Sequence, residues 1–314
     1  MEKILIPEKV APETIRFLQE KGYEVILGTG LDEETLNQQL DGCAAIMVRV
    51  AKVTRKIMQD HPELKIIAKH GAGYDNIDIE AARELGRTVV YAPVANSLSV
   101  AEHAMTLVLA CAKRLKKVQQ GYAGGDYFVK NHAFGMDIHG KTLGLIGFGR
   151  IGNMVGQMAH FGFGMNVIYF DPFLPEERRP EYASHVETME EVLAKADFVS
   201  LHLPLTPENR KIIGKAAFET MKETAYLINT SRGGIVDYDA LQLALEKGEI
   251  AGAGLDVTDP EPLPQDHALF RFDDVIVTPH SAASTLDSMV RMGIDAAEGI
   301  DDVLNGRTPR YRVV

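Results

Sequence analysis

Short runs of apolar residues recur along the whole chain, separated by segments with helical spacing. Runs at Lys3–Ile6, Ala44–Val48, Lys65–Ala68 and Thr88–Tyr91 are continuous rather than alternating, the pattern of parallel strands covered on both faces. Helical stretches such as Pro12–Lys21 lie between them, which predicts a βαβ series. A second series follows, with strands predicted at Thr142–Ile146, Asn166–Phe170, Phe198–Leu203, Ala225–Asn229, Gly252–Val257 and Val275–Thr278. Its helices include Arg150–His160 and Tyr238–Lys247. Six strands with intervening helices suffice for a complete doubly wound sheet.

A long helical stretch, Ser99–Lys117, separates the two series and leads into a looser segment, Gly121–Gly135. The last helix, Ser284–Val303, leaves the second sheet and could return the chain to the first domain. The expected fold class is α/β with two doubly wound parallel-sheet domains. Residues 1–98 and 286–314 are expected in one domain and 99–285 in the other, inserted domain. No short-period repeat and no low-complexity segment is present.

Composition narrows the class. The 314 residues are 46% hydrophobic and 25% charged, as in ordinary globular proteins. A net charge of −11 argues against non-specific binding to nucleic acid or an anionic membrane, though a local Arg/Lys cluster can still hold an anionic substrate. Cys43 and Cys111 are the only cysteines and form no CxxC pair, which fits a reducing compartment. The start lacks a signal peptide's apolar core, and the most apolar helical stretch, Ala101–Ala112, is too short to span a bilayer. The cytoplasm is the expected location. No metal site is expected, because neither HExxH nor paired CxxC spacing occurs, and GxSxG and Walker loops are also absent.

Gly147-Phe-Gly149-Arg-Ile-Gly152 is a GxGxxG between a predicted strand and a predicted helix. Gly147 permits the tight turn, Gly149 lets the backbone approach a pyrophosphate, and Gly152 lets the helix pack close to the sheet. The helix N-terminus then offers unpaired N–H groups to the anion. The next strand ends at Asp171, whose carboxylate can take the adenosine ribose hydroxyls and repel a 2′-phosphate, favouring NAD over NADP. The alternative is a tight strand–helix turn with a solvated Asp at its edge.

Three polar residues follow the late strands, where open α/β sheets place ligands: Arg232, Glu261 and His280. Singly, Arg232 could cap a turn, Glu261 could be a solvated acid, and His280 could be a satisfied loop histidine. Together they arise from one edge of one sheet, beside a dinucleotide turn, and they could serve reduction of a 2-oxo acid, the substrate class that the family resemblance of their motifs implies. Arg232 can polarise the carbonyl oxygen and hold the carboxylate through its forked guanidinium. His280 can deliver the proton as general acid. Glu261 would orient the imidazole and favour its charged form. The loop Gly71-Ala72-Gly73 can offer backbone N–H groups to the substrate carboxylate.

The motifs carrying these residues resemble the D-isomer-specific 2-hydroxyacid dehydrogenases along nearly the whole chain, in order. They are His70-Gly-Ala-Gly-Tyr-Asp-Asn-Ile-Asp78, Asn96-Ser-Leu-Ser-Val-Ala-Glu-His103, and Gly140-Lys-Thr-Leu-Gly-Leu-Ile-Gly-Phe-Gly-Arg-Ile-Gly152. Then come Asn229-Thr-Ser-Arg-Gly-Gly-Ile-Val-Asp237, Gly254-Leu-Asp-Val257 with Glu261-Pro262, and Pro279-His280. The resemblance implies an NAD-dependent enzyme transferring a hydride to or from C2 of a D-2-hydroxy acid, with Arg232, Glu261 and His280 catalytic. It implies a Rossmann NAD domain inserted into a flavodoxin-like substrate domain, with the active site in the cleft between them. It assigns Arg150 and Ile151 to the pyrophosphate, Asp256 to the nicotinamide amide, and Thr230 to the cofactor. It also implies a homodimer, to which the long helix after Ser99 contributes.

The substrate stays open between 3-phosphoglycerate, glycerate/hydroxypyruvate, glyoxylate and D-lactate. Val48-Arg49-Val50 and Lys69 resemble the phosphoglycerate dehydrogenase branch, which implies cations facing the far anionic end of the substrate; alternatively Arg49 and Lys69 form surface pairs. Val50 stands where that branch commonly has a small polar residue. Ser281 and Ala282 stand where many members have a glycine pair after the His. A related formate dehydrogenase would carry an amide at Glu261. The end at Val314 suggests no separate regulatory domain. The alternative to an enzyme is an NAD(H)-sensing binding protein like the co-repressors of this fold, which carry long disordered tails not seen in this chain.

Overall fold

Continuous apolar runs dictate the first sheet. The computed structural model describes residues Met1–Val314, and strands β1 (Lys3–Ile6), β2 (Glu24–Leu27), β3 (Cys43–Val48), β4 (Ile66–Lys69) and β5 (Thr88–Val90) form a parallel sheet in the order β2-β1-β3-β4-β5. This is the flavodoxin-like order. Strands β3 and β4 are buried along their full length. On one face Ile4, Ile6, Ala45, Met47, Ile66 and Ala68 pack with Leu18, Ala296, Ala297 and Ile300. On the other, Leu5, Ile46, Val48 and Ile67 meet Leu36, Leu40, Ile57 and Met58. Each fully buried Leu, Ile, Val or Met among them contributes about 1.5–3 kcal/mol.

The helix Leu286–Leu304 therefore belongs to this sheet. It approaches the helix Pro12–Glu20 so closely that a Cβ on Gly293 would lie 1.9 Å from the Thr14 hydroxyl oxygen. Met1–Ser97 and Ala283–Val314 form one unit, and Leu98–Ala282 forms the other.

The second unit holds seven parallel strands in the order β12-β11-β10-β9-β6-β7-β8. They are β6 (Thr142–Ile146), β7 (Asn166–Phe170), β8 (Ala183–His185), β9 (Phe198–Leu201), β10 (Tyr226–Asn229), β11 (Gly252–Leu255) and β12 (Val275–Val277). The chain runs outward from β6 to β8, then returns to β9 and runs outward the other way. The switch point thus lies between β6 and β9, where doubly wound sheets bind ligands at the carboxyl ends of their strands.

Two strands, β2 and β8, lie outside the predicted set. β2 carries the apolar run Val25-Ile26-Leu27 but is only partly buried, and β8 has only Ala183 buried and no apolar run. The predicted helix Ser99–Lys117 is two helices, Ser97–Ala112 and Leu115–Ala123, broken at Arg114 with φ +48°. The Arg114 guanidinium makes two bonds to the Asp274 carboxylate, at 2.7 and 2.6 Å. Lys116 donates to the carbonyls of Phe270, Phe272 and Val275. The helix from Arg150 ends at Gln157 and continues as a π turn, Met158–Gly162. No helix is long and apolar enough to cross a membrane.

Candidate active site

β6 runs into the turn Gly147–Gly149, and the helix Arg150–Gln157 follows. Gly147 has φ +89°, and a Cβ on it would lie 2.5 Å from the His202 carbonyl oxygen. A Cβ on Gly152 would lie 2.4 Å from the Gly147 carbonyl oxygen. These two glycines are required by the close passage of helix and strand. Gly149 differs: it is exposed, and a Cβ there would meet nothing within 4 Å, so open space adjoins the helix N-terminus at this point. Arg150 is exposed and Ile151 half-buried on the first turn. Asp171, just past β7, accepts the N–H of Phe148 at 2.8 Å and that of Phe173 at 2.9 Å. Its carboxylate therefore stitches the glycine turn to the neighbouring strand end and keeps lone pairs for further donors.

β10, β11 and β12 are adjacent, and their carboxyl ends lead into Arg232, Glu261 and His280 in turn. Asn229, fully buried, shapes the first turn. Its Oδ1 accepts from the Ser231 N–H and hydroxyl, and its Nδ2 donates to the Arg232 carbonyl at 3.0 Å. The Arg232 guanidinium donates to the Ser231 carbonyl at 2.7 Å. A Cβ on Gly233 would lie 2.0 Å from the Thr258 carbonyl oxygen, so the Arg232 turn lies directly against the loop that carries Glu261. Arg210 ties the same loop down through Asp259 at 2.7 Å. The Thr230 hydroxyl is buried and has no partner in the protein.

Glu261 and His280 touch: Oε1 lies 2.6 Å from Nδ1, with both side chains about half exposed. With Nδ1 turned to the carboxylate, Nε2 is the ring's outward nitrogen. His280 has φ +51°, a left-handed conformation for a non-glycine residue. Asp256 holds it there. The Asp256 carbonyl accepts the His280 N–H at 2.7 Å, and its carboxylate accepts the N–H groups of Ser281 (2.8 Å) and Ala282 (2.9 Å) and the Thr278 hydroxyl (2.6 Å). His103 Nε2 lies 3.1 Å from the Thr278 hydroxyl and 3.4 Å from the carboxylate. Burial works against the charge of Asp256, but the bonds from His103, Thr278, Ala282 and Ser281 outweigh it and hold the carboxyl below its ordinary value. The resemblance implied only a cofactor contact for Asp256; the structure adds this scaffold. His103 and Thr278 were not singled out in the sequence, where only the Asn96–His103 motif hinted at the first, and Ser281 stood out only as a departure from the family's glycine pair.

In the first unit, Lys69 is buried, which removes it from the surface-pair alternative. Lys69 is 8% exposed, and its ammonium donates to the Arg49 carbonyl and to Asn76 Oδ1. The Arg49 guanidinium donates to the Lys9 carbonyl at 3.1 Å. Gly71 has φ +140°, and its N–H is taken by the Lys69 carbonyl at 3.0 Å, so it does not offer that group outward as expected. The N–H groups of Ala72 and Gly73 are not taken up by backbone carbonyls. His70 is 3% exposed; Nε2 bonds the Met289 carbonyl, and Nδ1 has no partner. Burial, followed by the Arg49 charge, pushes its pKa down to about 4, so the ring is neutral near pH 7. No group of three His, Cys, Asp or Glu side chains is placed to hold a metal ion.

Residues 105–282 match the family model described as "D-isomer specific 2-hydroxyacid dehydrogenase, NAD binding domain". The chain is 42% identical over 308 residues to a D-3-phosphoglycerate dehydrogenase of Methanocaldococcus jannaschii, covering 98% of this chain and 58% of that relative. The chain thus spans less than two thirds of that protein. It is 35% identical to a glyoxylate/hydroxypyruvate reductase B of Enterobacter sp., covering 99% of this chain and 97% of the relative. Among solved structures, a D-lactate dehydrogenase with NAD+ from Lactobacillus jensenii superposes with a TM-score of 0.82 at 29% identity, covering 99% of each chain.

Proposed function

This chain belongs to the D-isomer specific 2-hydroxyacid dehydrogenase family, and we propose that it is an NAD-dependent oxidoreductase acting at C2 of a D-2-hydroxy acid or the matching 2-oxo acid. The observation that carries the reading is the Glu261–His280 contact at 2.6 Å, at the carboxyl edge of the sheet that also carries the glycine turn and Asp171.

The residues fit a dinucleotide. Open space beside Gly149 admits a diphosphate against the first N–H groups of the helix, and the orphaned Thr230 hydroxyl is a buried donor awaiting an acceptor. Gly147, Gly149, Arg150, Ile151 and Gly152 would hold the diphosphate, Asp171 the adenosine ribose, and Thr230 and Asp256 the nicotinamide end. Nicotinamide, when bound, supplies or accepts the hydride at C2.

The chain's own residues do the rest. During reduction, negative charge builds on the carbonyl oxygen of the 2-oxo acid. Arg232 stabilises that charge with fixed donors. His280 Nε2–H gives the proton to the developing alkoxide, and in oxidation the same nitrogen takes it back. Glu261 holds Nδ1, which fixes the ring so that Nε2 faces outward. In the first unit, the N–H groups of Ala72 and Gly73 take a carboxylate, and Arg49 meets the far end of the substrate. Lys69 acts through the Arg49 carbonyl.

The substrate lies among 3-phosphoglycerate, glycerate/hydroxypyruvate, glyoxylate and D-lactate. The test is an NADH-oxidation screen over the corresponding 2-oxo acids, with the NAD-dependent reaction on 3-phosphoglycerate. NADH binding without turnover on any of them would overturn the reading. We further propose a homodimer, supported by exposed Leu115, Tyr122, Tyr127, Phe128 and Phe134 in one short stretch of chain. Light scattering that gives a monomer would refute it. Buried, unpaired Cys43 and Cys111 support a cytoplasmic location.

A further inference from the structure

The turn after β3, Arg49–Ala51, is gripped from two sides by residues that follow its neighbours in the sheet. Glu8, just beyond β1, accepts the N–H groups of Arg49 at 2.5 Å, Val50 at 2.7 Å and Ala51 at 3.3 Å. Three consecutive N–H groups converging on one carboxylate form an anion-binding nest, filled here by the chain itself. From the other side, the Lys69 ammonium holds the Arg49 carbonyl, and Asn76 Nδ2 holds the Ala51 carbonyl at 2.6 Å. Asn76 Oδ1 in turn accepts from Lys69 at 2.7 Å. Lys9, next to Glu8, supplies the carbonyl that receives the Arg49 guanidinium. The backbone and the side chain of Arg49 are thus both fixed by the segment after β1.

The strands concerned, β1, β3 and β4, are contiguous at the centre of the sheet. Their carboxyl ends are where open α/β sheets take ligands. Glu8, Arg49 and Lys69 together leave one net positive charge there. Val50, the middle residue of the gripped turn, is 69% exposed, so the turn presents an apolar side chain to solvent.

We infer that Glu8 is a positioning residue for substrate selection: by fixing the Arg49 turn it sets how the enzyme sorts 2-oxo acids that carry an anionic group beyond C3. The inference rests on the dehydrogenase reading above. Glu8→Gln isolates the effect, because an amide matches the carboxylate in size but turns a donor toward one of the three N–H groups, and the turn loses a partner. Glu8→Asp keeps the charge.

The experiment compares 3-phosphohydroxypyruvate with hydroxypyruvate, which differ only in the phosphate, in the NADH-dependent reaction. Glu8→Gln should lower kcat/KM for the phosphorylated acid about tenfold, through KM, and that for hydroxypyruvate less than about threefold. Glu8→Asp should recover part of the loss. Equal losses on both acids with a lowered Tm would mean a purely structural role and overturn the inference. So would an unchanged ratio, or a parent enzyme that reduces hydroxypyruvate but not its phosphate. A parent inactive on every 2-oxo acid would instead overturn the dehydrogenase reading.

Discussion

The backbone carbonyl of Asp256 accepts the backbone N–H of His280 at 2.7 Å, and the carboxylate of the same residue binds the next two N–H groups. A left-handed residue such as His280 is held against a cost on the order of 1–3 kcal/mol. Bonds from charged acceptors, at about 1.5–3 kcal/mol each, are large enough to offset it. Asp256→Asn should therefore misplace the imidazole without removing it. We expect kcat to fall about a hundredfold, within the range for a mispositioned general acid. Steady-state kinetics decide; a kcat within about threefold of the parent would detach Asp256 from the placement of His280.

The 2.6 Å contact predicts strong coupling between Glu261 and His280. His280→Ala should reduce kcat by about 10²–10⁴ while NADH still binds. Once the imidazole is gone, Glu261 has nothing to orient. Adding Glu261→Gln to His280→Ala should then change kcat by less than about threefold, although Glu261→Gln alone impairs the parent. Additive losses in this double-mutant cycle would assign the two side chains separate roles.

Asp171 should decide the cofactor. Its carboxylate would repel a 2′-phosphate, so NADH should be preferred over NADPH by at least about tenfold in kcat/KM, or roughly 1.4 kcal/mol. Asp171→Ala should narrow the preference mainly by weakening NADH. The side chain also braces the Phe148 N–H at 2.8 Å, so the variant loosens the glycine turn as well as the ribose contact. Comparable use of both cofactors by the unaltered protein would remove Asp171 from this role.

Stability should decline in mild acid because of His70. Its folded pKa of about 4 lies below its ordinary 6.5. Below pH 6.5 the unfolded chain therefore takes up a proton that the folded chain does not accept until about pH 4. The contribution is fully present above pH 6.5 and is lost as pH falls toward 4, by at most about 3 kcal/mol. Burial moves His202 in the same direction, so a His70→Gln variant should keep part of the slope. Urea midpoints between pH 7 and 4 test this; identical slopes in parent and variant would show that His70 is not involved.

Legibility followed burial and locality. Lys3–Ile6, Thr142–Ile146 and Asn166–Phe170 are strands at the residues where apolar runs predicted them. The edge Ala183–His185 left no such trace, since only Ala183 of it is buried, whereas Glu24–Leu27 does carry an apolar run, Val25-Ile26-Leu27, that is only partly covered. The break at Arg114 was invisible because neither glycine nor proline marks it; it accompanies an ion pair with Asp274 far along the chain. The glycine turn was readable because its steric demands are local. The Asp256 scaffold was not, since its carboxylate reaches Thr278, Ser281 and Ala282 more than twenty residues away. The burial of Lys69 was not legible for a similar reason, since it depends on Asn76 and on the Arg49 carbonyl.

The tight crossing of Gly293 over Thr14 bears on the order of events during synthesis. A ribosome emits the five strands of the first sheet early, but Ala296, Ala297 and Ile300, which cover one of its faces, emerge only after Leu98–Ala282. The middle unit is continuous in sequence and can close on itself as it appears. The outer unit must wait with Ile4, Ile6, Ala45 and Met47 short of their final cover, and it is this waiting sheet, rather than the nucleotide fold, that a nascent-chain chaperone would find exposed.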